Sequence, residues 1–195
     1  SSAASDVYKR QPNKLTIAVL AVLLVLVILV VVILCMIFGG GSWKTPINNV
    51  MDVLNDGDGK AYEELMPPYY KDMADALDGI IDISDEDFDE EAENQRDRLT
   101  KKYGDDAEIS YEVVKKTKVD SDDIDSYNEV SDVASILSSK KAKKYKLTKA
   151  YKVKIKYTIE GEDADKTDKT TVIVGKMDGT WVLLDEGDLP ISTGF

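Results

Sequence analysis

Residues 15–38, LTIAVLAVLLVLVILVVVILCMIF, form an unbroken apolar run of 24 residues without a charged side chain. Coiled as an α-helix, such a run is about 36 Å long, enough to cross the roughly 30 Å hydrocarbon layer of a bilayer with some tilt. Everything after it is polar, acidic and laced with lysine. The chain therefore reads as a membrane anchor followed by one folded domain.

Residues 42–195 number 154, a length that suits a single domain with a respectable core. The first 41 residues carry Asp6 against Lys9, Arg10 and Lys14, net +2, so the total of −12 leaves −14 on the remainder. A domain so acidic repels nucleic acid as a whole, and no nucleic-acid partner is expected. Histidine is absent, and the single cysteine, Cys35, lies inside the apolar run. Thiol and Ser-His-Asp catalysis, histidine acid/base chemistry, zinc sites and a disulfide framework all drop out together. No catalytic, cofactor-binding or metal-ligating residue is expected, and the chain reads as non-enzymatic.

Lys14, with Lys9 and Arg10 upstream, precedes the apolar run, whereas Lys44 is the only basic residue soon after it. The positive-inside bias makes this a single-pass protein of the cell membrane, its N-terminus cytoplasmic and its C-terminal domain extracellular. A cleaved signal peptide competes, because the small residues 39–42 offer a cleavage point, but the apolar stretch exceeds a typical signal core. Cys35 is a poor lipidation site, since Leu34 stands where a small residue is expected. The opening SSAASDVYKRQ resembles the translated sequencing-adaptor tract found at the ends of metagenomic reading frames. The expected organisation is a short N-terminus over 1–14 (1–11 artefactual on that resemblance), a transmembrane helix over 15–38, a linker over 39–44, a domain over 45–187 and a tail over 188–195.

Within the domain, Thr45 and Pro46 read as N-cap and first helical position, with Ile47, Val50, Met51 and Leu54 as a buried stripe. Asn55, Asp56, Gly57, Asp58 and Gly59 form a turn into a second helix with Tyr62, Leu65 and Met66, which Pro67 and Pro68 break. Tyr69, Tyr70, Met73, Ala76 and Leu77 continue the helical period. Ser84 caps a longer helix with Phe88, Ala92, Gln95, Leu99 and Tyr103 along one side and Gly104 at its end. From Ala107 the period falls to two: Ile109, Tyr111 and Val113 point to the core in a strand running to Val119. Ile124, Tyr127, Val130, Ala134 and Leu137 restore a helical stripe. Residues 147–159 are the cleanest strand, with Tyr151, Val153, Ile155, Tyr157 and Ile159 inward and Lys152, Lys154, Lys156 and Thr158 in water. Residues 160–169 read as a loop, 170–177 as a strand, and Asp178-Gly179 as a hairpin turn into Trp181, Val182, Leu183 and Leu184. The fold class is α+β, with helices packed on one face of a curved antiparallel sheet.

The stretches TPINNVMDVLNDGDGKAYEELMP and VIVGKMDGTWVLLDE together resemble the extracytoplasmic domains of the cystatin-like, nuclear-transport-factor-like superfamily found in Gram-positive membrane proteins and lipoproteins. The resemblance implies a cone walled by the early helices, with Asp56 to Asp58 at the turn and Trp181 on the closing hairpin. It also brings in ketosteroid-isomerase-like and dehydratase-like enzymes, which place a carboxylate in the cone. No residue interrupts the apolar faces at Tyr111, Tyr151 or Tyr157 as a buried catalytic acid would, so no catalytic set carries over.

Several clusters have competing readings. In LNDGDGK, setting Gly59 at the sixth position of a calcium loop puts Leu54 and Leu65 where carboxylates are required, which favours a plain Asp/Gly turn. The acids between Asp82 and Glu93 suit a solvated helix start, with weak divalent binding as the alternative. Lys152, Lys154 and Lys156, within a basic band from Lys140 onward, either protect a sheet from aggregation or contact an anionic surface of lipid or envelope polymer. Tyr62, Tyr111, Tyr151, Tyr157 and Trp181 either pack a core or line a pocket for a small molecule of unknown identity. The functional expectation is a binding or interaction module of the cell envelope, held by its bilayer span and facing an envelope polymer or protein. The alternatives are a cone enzyme and the outer half of a sensor or scaffold.

Overall fold

The helix that opens the domain begins one residue earlier than its sequence suggests. In the computed structural model, which describes residues 41–76, 85–130 and 137–193, helix α1 spans Thr45–Asp56 with Lys44 as its N-cap. Thr45 is thus helical already, and its Oγ1 accepts from the Ser42 N–H at 3.0 Å while Ser42 Oγ accepts from the Lys44 N–H at 3.1 Å. The two hydroxyls lock the entry turn reciprocally. Ile47, Val50, Met51 and Leu54 are buried as their spacing requires. Gly57 closes the helix in the left-handed region at φ 64°, donating to the Val53 carbonyl.

Asp58 then caps helix α2 (Gly59–Leu65), its Oδ1 accepting from the Lys60 and Ala61 N–H groups at 2.9 and 3.1 Å. That duty explains the carboxylate of the Asp/Gly turn without a metal. Gly59 is there because a side chain would strike the next long helix: a Cβ would sit 2.7 Å from the Asp89 Cα. Helix α3 covers Tyr70–Ala76, and helix α4 covers Asp85–Tyr103 with Ala92, Gln95, Leu99 and Tyr103 buried along one side. Ser84, Leu77, Asp82 and Ala134 lie outside the described residues, as does the whole run 15–38; among the described residues no helix is long and apolar enough to cross a membrane.

Four strands, β1 (Glu108–Lys118), β2 (Leu147–Glu160), β3 (Lys166–Met177) and β4 (Thr180–Asp185), form an antiparallel meander in that order. Strand β3 starts at Lys166 rather than Thr170, because Lys166 to Lys169 pair with Ile159 back to Lys156 despite their polarity. Strand β1 departs further from expectation. A bulge between Val113 and Lys115 leaves Val113 37% and Val114 52% exposed on this edge strand, where alternation had placed Val113 in the core. Beyond the bulge the phase is reset, and Lys116 lies opposite Val153, on the inner face.

Tyr157, Val153, Ile155 and Ile159 are fully buried under α1, α2 and α4, while Lys152 and Lys154 alternate outward. The other face is not bare, as a one-sided packing would have it. Helix α5 (Ser121–Val130) crosses it at one end, where Ile124 joins Val119, Leu147, Ala150, Met177 and Val182 in a second apolar cluster. A short helix α6 (Ser139–Lys144) leads back into β2. The stretch after residue 187 also belongs to the packed body, since Leu189 and Ile191 enter the main core.

Candidate functional site

The outer face of β2 presents Lys152, Lys154 and Lys156 at every second residue, a spacing of about 6.7 Å along the strand. Register adds neighbours: Lys115 lies beside Lys154 on β1, and Lys169 beside Lys156 on β3, while the acids of these rows are Glu112 beside Lys156 on β1 and Asp185 on β4, beyond Ile173 in the Lys152 row. Among the described residues none of these five ammonium groups enters an ion pair; the pairs found involve Lys141, Lys144 and Lys166. Thr117, Thr171 and Ile173 fill the remaining positions opposite Lys152 and Lys154, so the patch has cations and small side chains but no ring in those rows. Hydrated point charges on flexible stems attract anions at a distance without fixing one geometry.

The five aromatics expected around a pocket are distributed by the fold instead of assembled. Tyr62, buried between α2 and α4, tilts on Phe88 at 6.4 Å, and its hydroxyl donates to the Ser192 carbonyl at 3.5 Å. Burial, then the Glu91 charge and Tyr70, push this phenol up to about 12, against a smaller opposing pull from Arg98. Tyr157 is fully buried, donates to the Asp188 carbonyl at 3.2 Å and receives the Lys166 ammonium at 2.8 Å. Tyr111 donates to Asn48 Oδ1 at 2.7 Å. Only Tyr151 and Trp181 meet, stacked at 5.4 Å and 15°. Each ring has a partner that occupies the space beside it, which is how a core uses aromatic area.

Tyr151 also belongs to a group that the sequence did not announce. Trp43 packs its edge on Tyr151 at 6.4 Å, and Lys116, carried inward by the β1 bulge, stands 4.7 Å from the Trp43 ring and 4.6 Å from the Tyr151 ring. Lys44 and Lys149 approach the same two rings at 5.6 and 5.3 Å. A hydrogen bond from Lys149, and the charges of Lys149, Lys116 and Lys118, hold the Tyr151 phenol below its ordinary range despite an opposing burial effect. The only available signal was Trp43 itself, a large aromatic directly after a glycine spacer.

No protein-family model, curated protein or solved structure matches this chain.

At the opposite end of the sheet, Asp106, Glu108, Glu160, Glu162 and Asp165 line an open cleft. Two of these carboxylates hold the local backbone: Asp106 accepts from the Glu162 N–H at 2.7 Å and Asp165 from the Gly161 N–H at 3.2 Å. Among the described residues no group of three carboxylates or thiols is arranged to hold a metal ion. On α4, Glu91 accepts from Gln95 at 2.6 Å while Asp89, Glu90 and Glu93 are exposed.

Proposed function

We propose that this chain is a membrane-anchored, extracytoplasmic, non-enzymatic binding module of the cell envelope, with residues 15–38 as its span and a cystatin-like α+β domain beyond. The observation that carries the binding role is the outer face of β2, where Lys152, Lys154 and Lys156, flanked by Lys115 and Lys169, concentrate positive charge that enters no ion pair among the described residues, on a domain of net charge −14. Fourteen net negative charges oppose adsorption to any polyanion, so contact depends on local geometry: the lysine rows must meet the polymer while α5, whose Asp122, Asp123 and Asp125 share this face at one end, and the rest of the acidic surface stay away. An anionic polymer of the envelope, with charges repeating along a chain, suits a row of ammonium groups better than a compact ligand does.

The test is co-sedimentation of the protein with an insoluble phosphate-bearing wall polymer. Binding is expected at low ionic strength, declining as salt is raised, and about tenfold weaker in the Lys152→Gln/Lys154→Gln/Lys156→Gln variant. Binding that ignores salt, or that survives the triple substitution, removes the role of this face. Digestion of the domain by protease added outside intact cells tests the orientation independently.

A further inference from the structure

The aromatic and lysine group at Trp43 lies where the chain would leave the membrane, and this juxtaposition rests on the anchor reading above. From Phe38 to Trp43 the backbone takes five steps, which at full extension reach at most about 18 Å. Residues 39–41 are glycines, so the spacer allows free rotation but little distance. Whatever orientation the domain adopts, Trp43 stays within that radius of the hydrocarbon edge, and the headgroup layer occupies the first several ångströms of it.

Charge is arranged unevenly along the sheet. At the Trp43 end, Lys44, Lys116, Lys118 and Lys149 are exposed, converge on Trp43 and Tyr151, and enter no ion pair among the described residues. At the other end, where β1 starts and β2 finishes, lies the cleft of five carboxylates. Acids are also present at the Trp43 end: the exposed Asp120 follows β1, Asp122, Asp123 and Asp125 ride on α5, whose Ile124 packs on the opposite face of the sheet, and Asp178 in the β3–β4 turn is paired with Lys144. An anionic surface therefore attracts one end of the sheet and repels the other, and the attracted end is the one on the short tether. The group has the composition that suits a membrane interface: an indole and a phenol with apolar bodies, and exposed lysines whose ammoniums gather about the two rings.

We propose that the Trp43 end of the domain, with Lys44, Lys116, Lys118 and Lys149, docks on anionic lipid headgroups and stands the domain with its carboxylate cleft away from the membrane. The outer face of β2 is thereby left free for its own partner.

The experiment uses the full chain reconstituted in vesicles of phosphatidylcholine alone or of phosphatidylcholine with phosphatidylglycerol, with Trp181→Phe so that Trp43 is the only indole. With lipids brominated near the headgroup, Trp43 emission is expected to be quenched and blue-shifted in the anionic vesicles and not in the neutral ones. High salt should abolish the difference. The Lys44→Gln/Lys116→Gln/Lys118→Gln/Lys149→Gln variant should weaken it by about tenfold or more, whereas Lys152→Gln/Lys154→Gln/Lys156→Gln should leave it intact. Equal quenching in both vesicles, or persistence in the fourfold variant, overturns the docking. If that variant fails to fold, the salt titration of the parent chain decides. Failure of the chain to float with the vesicles removes the anchor and the docking together; flotation with an indole indifferent to lipid charge removes the docking alone.

Discussion

Tyr62 shows how one side chain couples core packing to pH. Its ring is buried and its phenol is pushed up to about 12, while the same group in an unfolded chain ionises near 10. Below both values the phenol is neutral in either state and contributes no pH dependence. Between them the unfolded chain loses a proton that the folded one keeps, so stability must fall as pH rises from about 10 to about 12. Tyr62→Phe should therefore change stability little at neutral pH, its hydrogen bond being long at 3.5 Å, and should flatten the alkaline decline. Thermal melts by circular dichroism across that range check this, and parallel declines in parent and variant would refute it. Tyr62 was legible as a buried helical position; its shifted proton was not, because Glu91 and Tyr70 reach it only through the packing of neighbouring helices.

Among the elements, three side-chain amides do similar work at three joints. Asn55 at the end of α1 accepts from the Ile109 N–H and donates to its carbonyl at 2.8 and 2.9 Å. Asn128 does the same with Leu147 from α5, at 2.8 and 2.9 Å, and Gln95 with Ser192 from α4, at 3.2 and 3.1 Å. Each amide stands in for a strand neighbour, pairing backbone that no strand covers. Gln95 is nearly fully buried, so Gln95→Ala takes the partner from the Ser192 N–H, leaves its C=O only the long bond from the Tyr62 hydroxyl, and opens a gap beneath the tail. The expected loss is about 3 kcal/mol, read as a lower urea midpoint with an unchanged slope. A variant as stable as the parent would show that the tail does not depend on this pair. The sequence placed Gln95 correctly on the inner stripe of α4, yet gave no sign that residues 188–193 come back to it. Such a pairing joins positions 97 apart in the chain and has no periodicity to betray it.

For the molecule as a whole, net charge outweighs local pairing. The three ion pairs found among the described residues lie at the surface, where water screens them, whereas −14 is spread over the domain. Screening should therefore raise the melting temperature of the folded domain as sodium chloride is increased from low ionic strength, even as it weakens binding to a polyanion. A falling melting temperature would mean that attractive pairs dominate. At this scale the amino-acid order alone determined the division into an apolar run and an acidic domain, the placement of the single cysteine within that run, the α+β class, and the inner and outer faces of β2. These follow from composition and from periods of 3.6 and 2, which are local properties. Tertiary structure decided the rest: that a bulge in β1 turns Lys116 toward Trp43, that α5 crosses one end of the far face, that the five aromatics are dispersed so that only Tyr151 and Trp181 stack, and that a carboxylate cleft stands at the sheet end away from Trp43. Those outcomes depend on which strand lies beside which and in what register, and a single residue inserted in a ladder changes them while leaving every local pattern the same.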